Sequence, residues 1–385
     1  MPIDTPLAKL IAEQIRESGA ISFRDFMELA LYHPGLGYYT RPQARIGTKG
    51  DFYTASQVGP LFGWTVAHAI EKTFDESESS APVLKGRKPA RSALTVIEFG
   101  AGEGFLARDI LEYFQYQNAD YFERLRYIIV EESGSFRKRQ RGVLSEEAKF
   151  LKHVAWSSAE NLEQIDGIIL ANEFVDALPF HRVVRAEETF QEIFVDVTED
   201  FCERRTDITS PRLAESVAGL VADWEEKAGE SWPVNQQLEF SIGAVDWISS
   251  LAGILNKGTV FILDYGANAA ELYRIGTRGT AKAFYRHQLS ENFYEHIGEQ
   301  DLTADVNFTA LASAARAAGF HVEPLRTQAE FLLSNEIEKV VQWRAEALKL
   351  DDESARRSRR QILNLILPEA MGTRFKALVL RSRVD

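Results

Sequence analysis

Cysteine is almost missing from this chain: Cys202 stands alone among 385 residues. That excludes an internal disulfide framework and any cysteine-built zinc or iron–sulfur centre, and it fits a reducing compartment. No run of about 18 apolar residues occurs, so no segment reads as a membrane-spanning helix. Positive charge is in deficit. The 44 Lys and Arg face 57 Asp and Glu, a net −13, which argues against nucleic acid as a partner. The opening Met1-Pro2-Ile3-Asp4-Thr5-Pro6 has neither the basic region of a signal peptide nor the Arg-rich pattern of a transit peptide. The expectation is a cytoplasmic protein, or a mitochondrial one should a leader have been removed. There is no His-Glu-x-x-His and no Cys cluster, so no metal is expected. No internal repeat is seen.

What is present is a large apolar fraction, 45% of residues, against 26% charged. A core of two or three domains can be built, at roughly 150 residues each. Thr5-Pro6 starts a helix that Gly19 stops, and Ser22 with Asp25 starts a second one through Leu31. A Gly-rich stretch and a helix from about Gly59 to Phe74 follow. The polar run 75–92 reads as a solvated loop. Short apolar runs then alternate with helical patterns. Strands are expected at Leu94–Phe99, Arg126–Glu131, Lys149–Ala155, Gly167–Ala171, Thr259–Asp264, near Phe320–Leu325 and at Phe375–Arg381. Helices are expected at Phe105–Phe114, Ala244–Leu255 and Thr309–Ala318. This is an α/β pattern with a parallel sheet and helices on both faces. Arg182–Thr206 reads as inserted antiparallel hairpins, and 336–366 as two inserted helices. The expected division is 1–92 as N-terminal helices and a covering loop, 93–181 as the first part of the core, 182–243 as the insertion, and 244–385 as the rest.

The stretch Val96-Ile97-Glu98-Phe99-Gly100-Ala101-Gly102-Glu103-Gly104-Phe105 runs from an apolar strand through three alternate glycines into a helix. Glycines let backbone approach a ligand where any Cβ would collide. A dinucleotide site needs its third glycine at position 105, which is Phe, so a nicotinamide-dependent oxidoreductase is disfavoured. A P-loop would need Gly-Lys-Ser/Thr, which is missing too. The pattern that remains resembles motif I of class I S-adenosylmethionine (SAM) methyltransferases. One strand later, Tyr127-Ile128-Ile129-Val130 ends in Glu131, where doubly wound folds place the acid that takes a ribose diol.

Further blocks make the likeness specific. They are Tyr32-His33-Pro34, Gly37-Tyr38-Tyr39, Gly50-Asp51-Phe52-Tyr53-Thr54, Asn172-Glu173-Phe174 and Asp176-Ala177-Leu178-Pro179. Later come Asp264-Tyr265-Gly266, Asp301-Leu302-Thr303-Ala304-Asp305-Val306 and Met371-Gly372. In this order, over nearly the full length, the chain resembles the MidA-type methyltransferases, whose mitochondrial member methylates an arginine of a complex I subunit. Departures are Phe99 and Ala101 in motif I, Lys282-Ala283-Phe284, and Ser56-Gln57.

The resemblance implies a class I SAM methyltransferase Rossmann-like core with an added region, SAM as cofactor and S-adenosylhomocysteine as product. A protein substrate is implied, with arginine as acceptor. The oligomeric state is left open, a homodimer included. Gly100, Gly102 and Gly104 would admit the methionine portion. Glu98 would organise the loop or meet the ammonium group, and Glu131 would take the ribose hydroxyls. Trp156 is a candidate to flank the adenine, or a core residue. Asn172 belongs to the cofactor set. Asp51, Phe52 and Thr54 are read as a loop folding over the cofactor. Glu173 and Asp176 would align a guanidinium, which is a poor nucleophile while it stays charged. His181 would accept a proton, and Asp264 is a weaker candidate on the same rim. Two alternatives stand beside this reading: a SAM-binding assembly factor without catalysis, and a small-molecule methyltransferase.

Overall fold

A computed structural model describes residues 3–41, 58–79, 93–274, 278–286 and 288–383. The chain forms two compact units. One comprises residues 1–52, 175–248 and 266–314, and the other 53–174, 249–265 and 315–385.

The second unit is built on a sheet of parallel strands: Leu94–Phe99 (β1), Leu125–Val130 (β2), Val154–Ser157 (β3), Ile165–Asn172 (β4) and Leu255–Ala267 (β5). Phe375–Arg381 (β6) runs antiparallel beside β5, in register from Thr259–Arg381 to Tyr265–Phe375. The spatial order is His321–Val322, β6, β5, β4, β1, β2, β3. The order reverses between β1 and β4, which is where open α/β sheets hold ligands at the carboxyl ends of their strands. Both faces of the sheet are covered. Ile97, Ile128, Ile169 and Val260 form one buried row, and Ile129, Leu170, Phe261 and Val379 another on the opposite face. That explains the near-continuous apolar runs. The helices Pro60–Ser79 and Phe105–Gln117 lie against the second face, with Trp64, Phe62, Ile110 and Phe114 in the core.

Two expectations in this unit are corrected. The region 75–79 is helical, because its acids are anchored: Asp75 accepts from Tyr121, Glu78 from Arg124 at 3.0 Å, and Glu76 from Arg381 at 3.2 Å. The third strand is Val154–Ser157 and not Lys149–Ala155. Phe150–Lys152 forms a 3₁₀ turn that buries Phe150 off the ladder. The end of the strand is therefore Trp156-Ser157, further along than the apolar run suggests.

The first unit joins distant parts of the sequence. Pro6–Ser18 is capped by Thr5, whose side chain accepts from the Ala8 amide, and Phe23–Tyr32 is capped by Ser22. Between them Ile21–Ser22 pairs with the hairpin strand Phe190–Val197, Ile21 opposite Val195. His181–Arg185, Phe190–Val197, Phe201–Asp207 and Gln237–Phe240 complete an antiparallel sheet. The region 207–240, unassigned by pattern, supplies the helix Pro211–Ala228. Its Trp224 meets Trp232 edge-on at 5.0 Å, and both are buried, so these two tryptophans are core.

Candidate methyl-transfer site

The carboxyl edge of the sheet in the second unit gathers the motif I loop, Glu131, Asn172 and Glu173. After β1 the chain turns through Gly100, Gly102 and Gly104 into the helix Phe105–Gln117. A Cβ on Gly100 would stand 2.8 Å from the Phe174 ring, so the loop can lie on the end of β4 only as glycine. Gly102 differs. Its φ is +52°, and a Cβ there would meet nothing within 4 Å. The open space faces a backbone turn that L side chains rarely adopt.

Glu98 is buried in register between Ile129 and Leu170. Tyr127 donates to its Oε2 at 2.8 Å. Burial pushes the Glu98 carboxyl up to about 7, with the Tyr127 bond acting against that shift. Glu131 follows β2. Its Oε1 accepts from the Ser133 amide at 2.8 Å and its Oε2 from Gln140 at 3.1 Å. Burial raises the Glu131 carboxyl, and those two donors with Arg137 oppose the rise. Trp156 sits in β3. Its indole N–H donates to Gln140 Oε1 at 2.8 Å, and the Arg141 guanidinium lies 4.0 Å from the ring centroid.

Asn172 ends β4 and is 7% exposed. Its Nδ2 reaches Glu173 Oε1 at 3.4 Å, while its buried Oδ1 finds no partner among the described residues. Glu173 is held at φ +49° by its amide bond to Leu263 O, 2.9 Å. A non-glycine residue in that region carries strain, which concentrates at functional sites. Asp264, within β5, is buried and accepts from the Tyr265 amide at 2.9 Å.

The remaining candidates belong to the first unit. Asp176 lies in the turn Val175–Ala177, where Thr303 Oγ1 donates to its carboxylate at 3.1 Å. Around it are Tyr32, donating to Ala177 O at 2.8 Å, and Tyr39, donating to Asp301 at 2.9 Å. Burial first, then the charge of Asp301, holds the Tyr39 hydroxyl well above its ordinary range. Two blocks noted in the sequence, 32–39 and 301–306, thus meet Asp176 here. His181 opens a strand and shares a 2.6 Å hydrogen bond between Nδ1 and Glu192. Lys282, one of the departures, forms an ion pair with Asp305. Asp51, Phe52 and Thr54 lie outside the described residues.

The cradle suits SAM in two respects: the open space at Gly102 and the orphaned Asn172 oxygen, an acceptor for a cationic or N–H group. Comparison with known proteins decides the class. A family described as S-adenosyl-L-methionine-dependent methyltransferases matches residues 77–325. The chain belongs to this family. It is a SAM-dependent methyltransferase of the MidA type, as the motif blocks imply. A Burkholderia thailandensis protein of this kind, solved with S-adenosyl-homocysteine bound, is 27% identical with a TM-score of 0.82, over 100% of this chain and 96% of that one. Among named relatives, "Protein arginine methyltransferase NDUFAF7, mitochondrial" of Mus musculus is 26% identical over 96% of this chain and 83% of its own. The Danio rerio protein of the same name is 27% identical over 97% and 86%. Among the described residues no helix is long and apolar enough to cross a membrane.

Two groups at this site escaped the sequence reading. Tyr127 looks like an ordinary strand aromatic. Gln140 carries a fainter signal: it takes the buried position between Phe136 and Leu144, four residues from each, where a helix stripe is normally apolar.

Proposed function

We propose that this methyltransferase acts on a protein, at an arginine nitrogen. The observation that carries the reading is the naming of relatives that span nearly the whole chain as protein arginine methyltransferases. The strained Glu173 at the strand edge supports it, since an off-rule backbone there suits a carboxylate that must be aimed. SAM supplies an electrophilic methyl on a sulfonium.

The residues do the rest. Glu131 takes the ribose hydroxyls, and the loop 100–104 lets backbone reach the methionine portion. Asn172 Oδ1 accepts from the cofactor's amine end. Glu173 draws the guanidinium into line through a charge-assisted bond and concentrates electron density on one nitrogen. Asp176 serves the acceptor as a second carboxylate. His181, with Nδ1 turned to Glu192, offers Nε2 as proton acceptor. In-line displacement then needs only alignment and exclusion of water.

The test uses purified protein, labelled SAM and a size-fractionated lysate, with hydrolysis of labelled protein to amino acids. Methylarginine in the protein fraction is expected. Label confined to small molecules would overturn the protein acceptor. Label in protein on another residue type would overturn arginine.

A further inference from the structure

Gln140 is fully buried on the helix Gly134–Leu144, and every polar atom of its side chain is engaged. Nε2 donates to the Gly102 carbonyl at 2.9 Å and to Glu131 Oε2 at 3.1 Å. Oε1 accepts from the Trp156 indole at 2.8 Å. The orientation of the amide is fixed by its surroundings. A flipped amide would set two donors against each other at Trp156 and oxygen against oxygen at both Gly102 and Glu131. One carboxamide thus ties together the motif I loop, the acid after β2 and the end of β3. Contact with the loop is close: a Cβ on Gly104 would stand 3.2 Å from Gln140 Cα.

The ribose carboxylate needs such a tie. Glu131 has two oxygens and must keep lone pairs aimed at a ligand while half-buried. Ser133 donates to one oxygen and Gln140 to the other, so the carboxylate is held from both sides. We propose that Gln140 is a positioning residue for cofactor binding: it sets Glu131 and the Gly102 turn in one arrangement before SAM arrives. It touches no reacting atom. The inference rests on Glu131 as the ribose acid.

Affinity for S-adenosylhomocysteine, measured by calorimetry on the full chain, tests it. Gln140→Met keeps length and removes all three bonds. It should weaken binding by roughly tenfold, the worth of about 1.4 kcal/mol, while kcat at saturating SAM stays within about twofold. Gln140→Glu, isosteric but turning a carboxylate toward Glu131 and the Gly102 carbonyl, should weaken binding more. The deciding measurement is the cycle with Glu131→Ala. If Gln140 acts through Glu131, Gln140→Met should cost far less in that background than alone. Fully additive losses, or wild-type affinity in both folded Gln140 variants, would overturn the proposal. Unchanged affinity in Glu131→Ala alone is a different failure: it removes Glu131 from the ribose, and the positioning role through it falls too. Circular dichroism and melting temperature of each variant separate misfolding from weak binding. Should Gln140→Met not fold, Gln140→Glu and its cycle carry the test.

Discussion

Tyr127 donates its phenol proton to Glu98 at 2.8 Å across two neighbouring parallel strands, and both side chains are buried. A carboxyl with no cation beside it among the described residues is thereby kept in the middle of an apolar row. Its pKa of about 7 in the folded chain exceeds the ordinary 4.5. The folded state therefore holds this proton more tightly than the unfolded state. The stabilisation is complete below about pH 4.5 and is lost as pH rises through 7.

Replacing Glu98 by Gln should flatten that fall. The amide can still accept from Tyr127 and has no charge to desolvate. Thermal melts at pH 5, 6, 7 and 8 should show the variant gaining on the parent as pH rises, by at most about 3 kcal/mol at the alkaline end. Asp109 is also raised to about 7 by burial, so the difference between variant and parent is the quantity to read. A pH-independent difference would remove Glu98 from the titration.

Glu173 and Glu131 should separate chemistry from cofactor binding. Glu173→Gln keeps size and removes charge. It should lower single-turnover transfer to a guanidinium by roughly ten- to a hundredfold, or about 1.5–3 kcal/mol, with SAM affinity nearly intact. Glu131→Ala should weaken SAM binding first. Full transfer activity in Glu173→Gln would take that residue out of the chemistry.

Gly102 offers a substitution that tests space apart from strain. Asn tolerates its left-handed backbone, whereas Val does not. Gly102→Asn should melt close to the parent yet bind S-adenosylhomocysteine at least ~10-fold more weakly. Gly102→Val should lose stability as well. Parent-like affinity in folded Gly102→Asn would put the ligand elsewhere.

Glycine normally costs a folded chain about 1 kcal/mol when it replaces another residue. At position 173 the φ of +49° reverses the expectation. Glu173→Gly should show no loss in urea unfolding while transfer collapses. A loss above roughly 1.5 kcal/mol would show that the Glu173 backbone is not under strain.

The fold was legible where burial is two-sided. Leu94–Phe99 and Phe375–Arg381 are buried along nearly their whole length, are mostly apolar, and match the observed bounds. It was less legible where a short apolar run holds a turn, as at Phe150, since periodicity cannot separate a short strand from a 3₁₀ turn. Glu131 and the glycines could be found because a ligand site forces residue type at fixed spacing. The groups behind them could not. Tyr127 reaches Glu98, and Gln140 reaches Gly102, only once the sheet has formed. The pairing of Ile21 with Val195 is likewise a tertiary fact, since nothing local in either segment names the other.

The antiparallel strand Phe375–Arg381 lies between Leu255–Ala267 and His321–Val322, with residues 268–374 intervening in sequence. On the ribosome, the paired stretch 259–265 of that strand therefore waits with an unpaired, mostly apolar edge until residue 381 has emerged. Such edges recruit other chains. Newly made chains should thus depend on chaperones late in synthesis, and a nonsense mutation anywhere after residue 265 should yield aggregate in place of a smaller working enzyme.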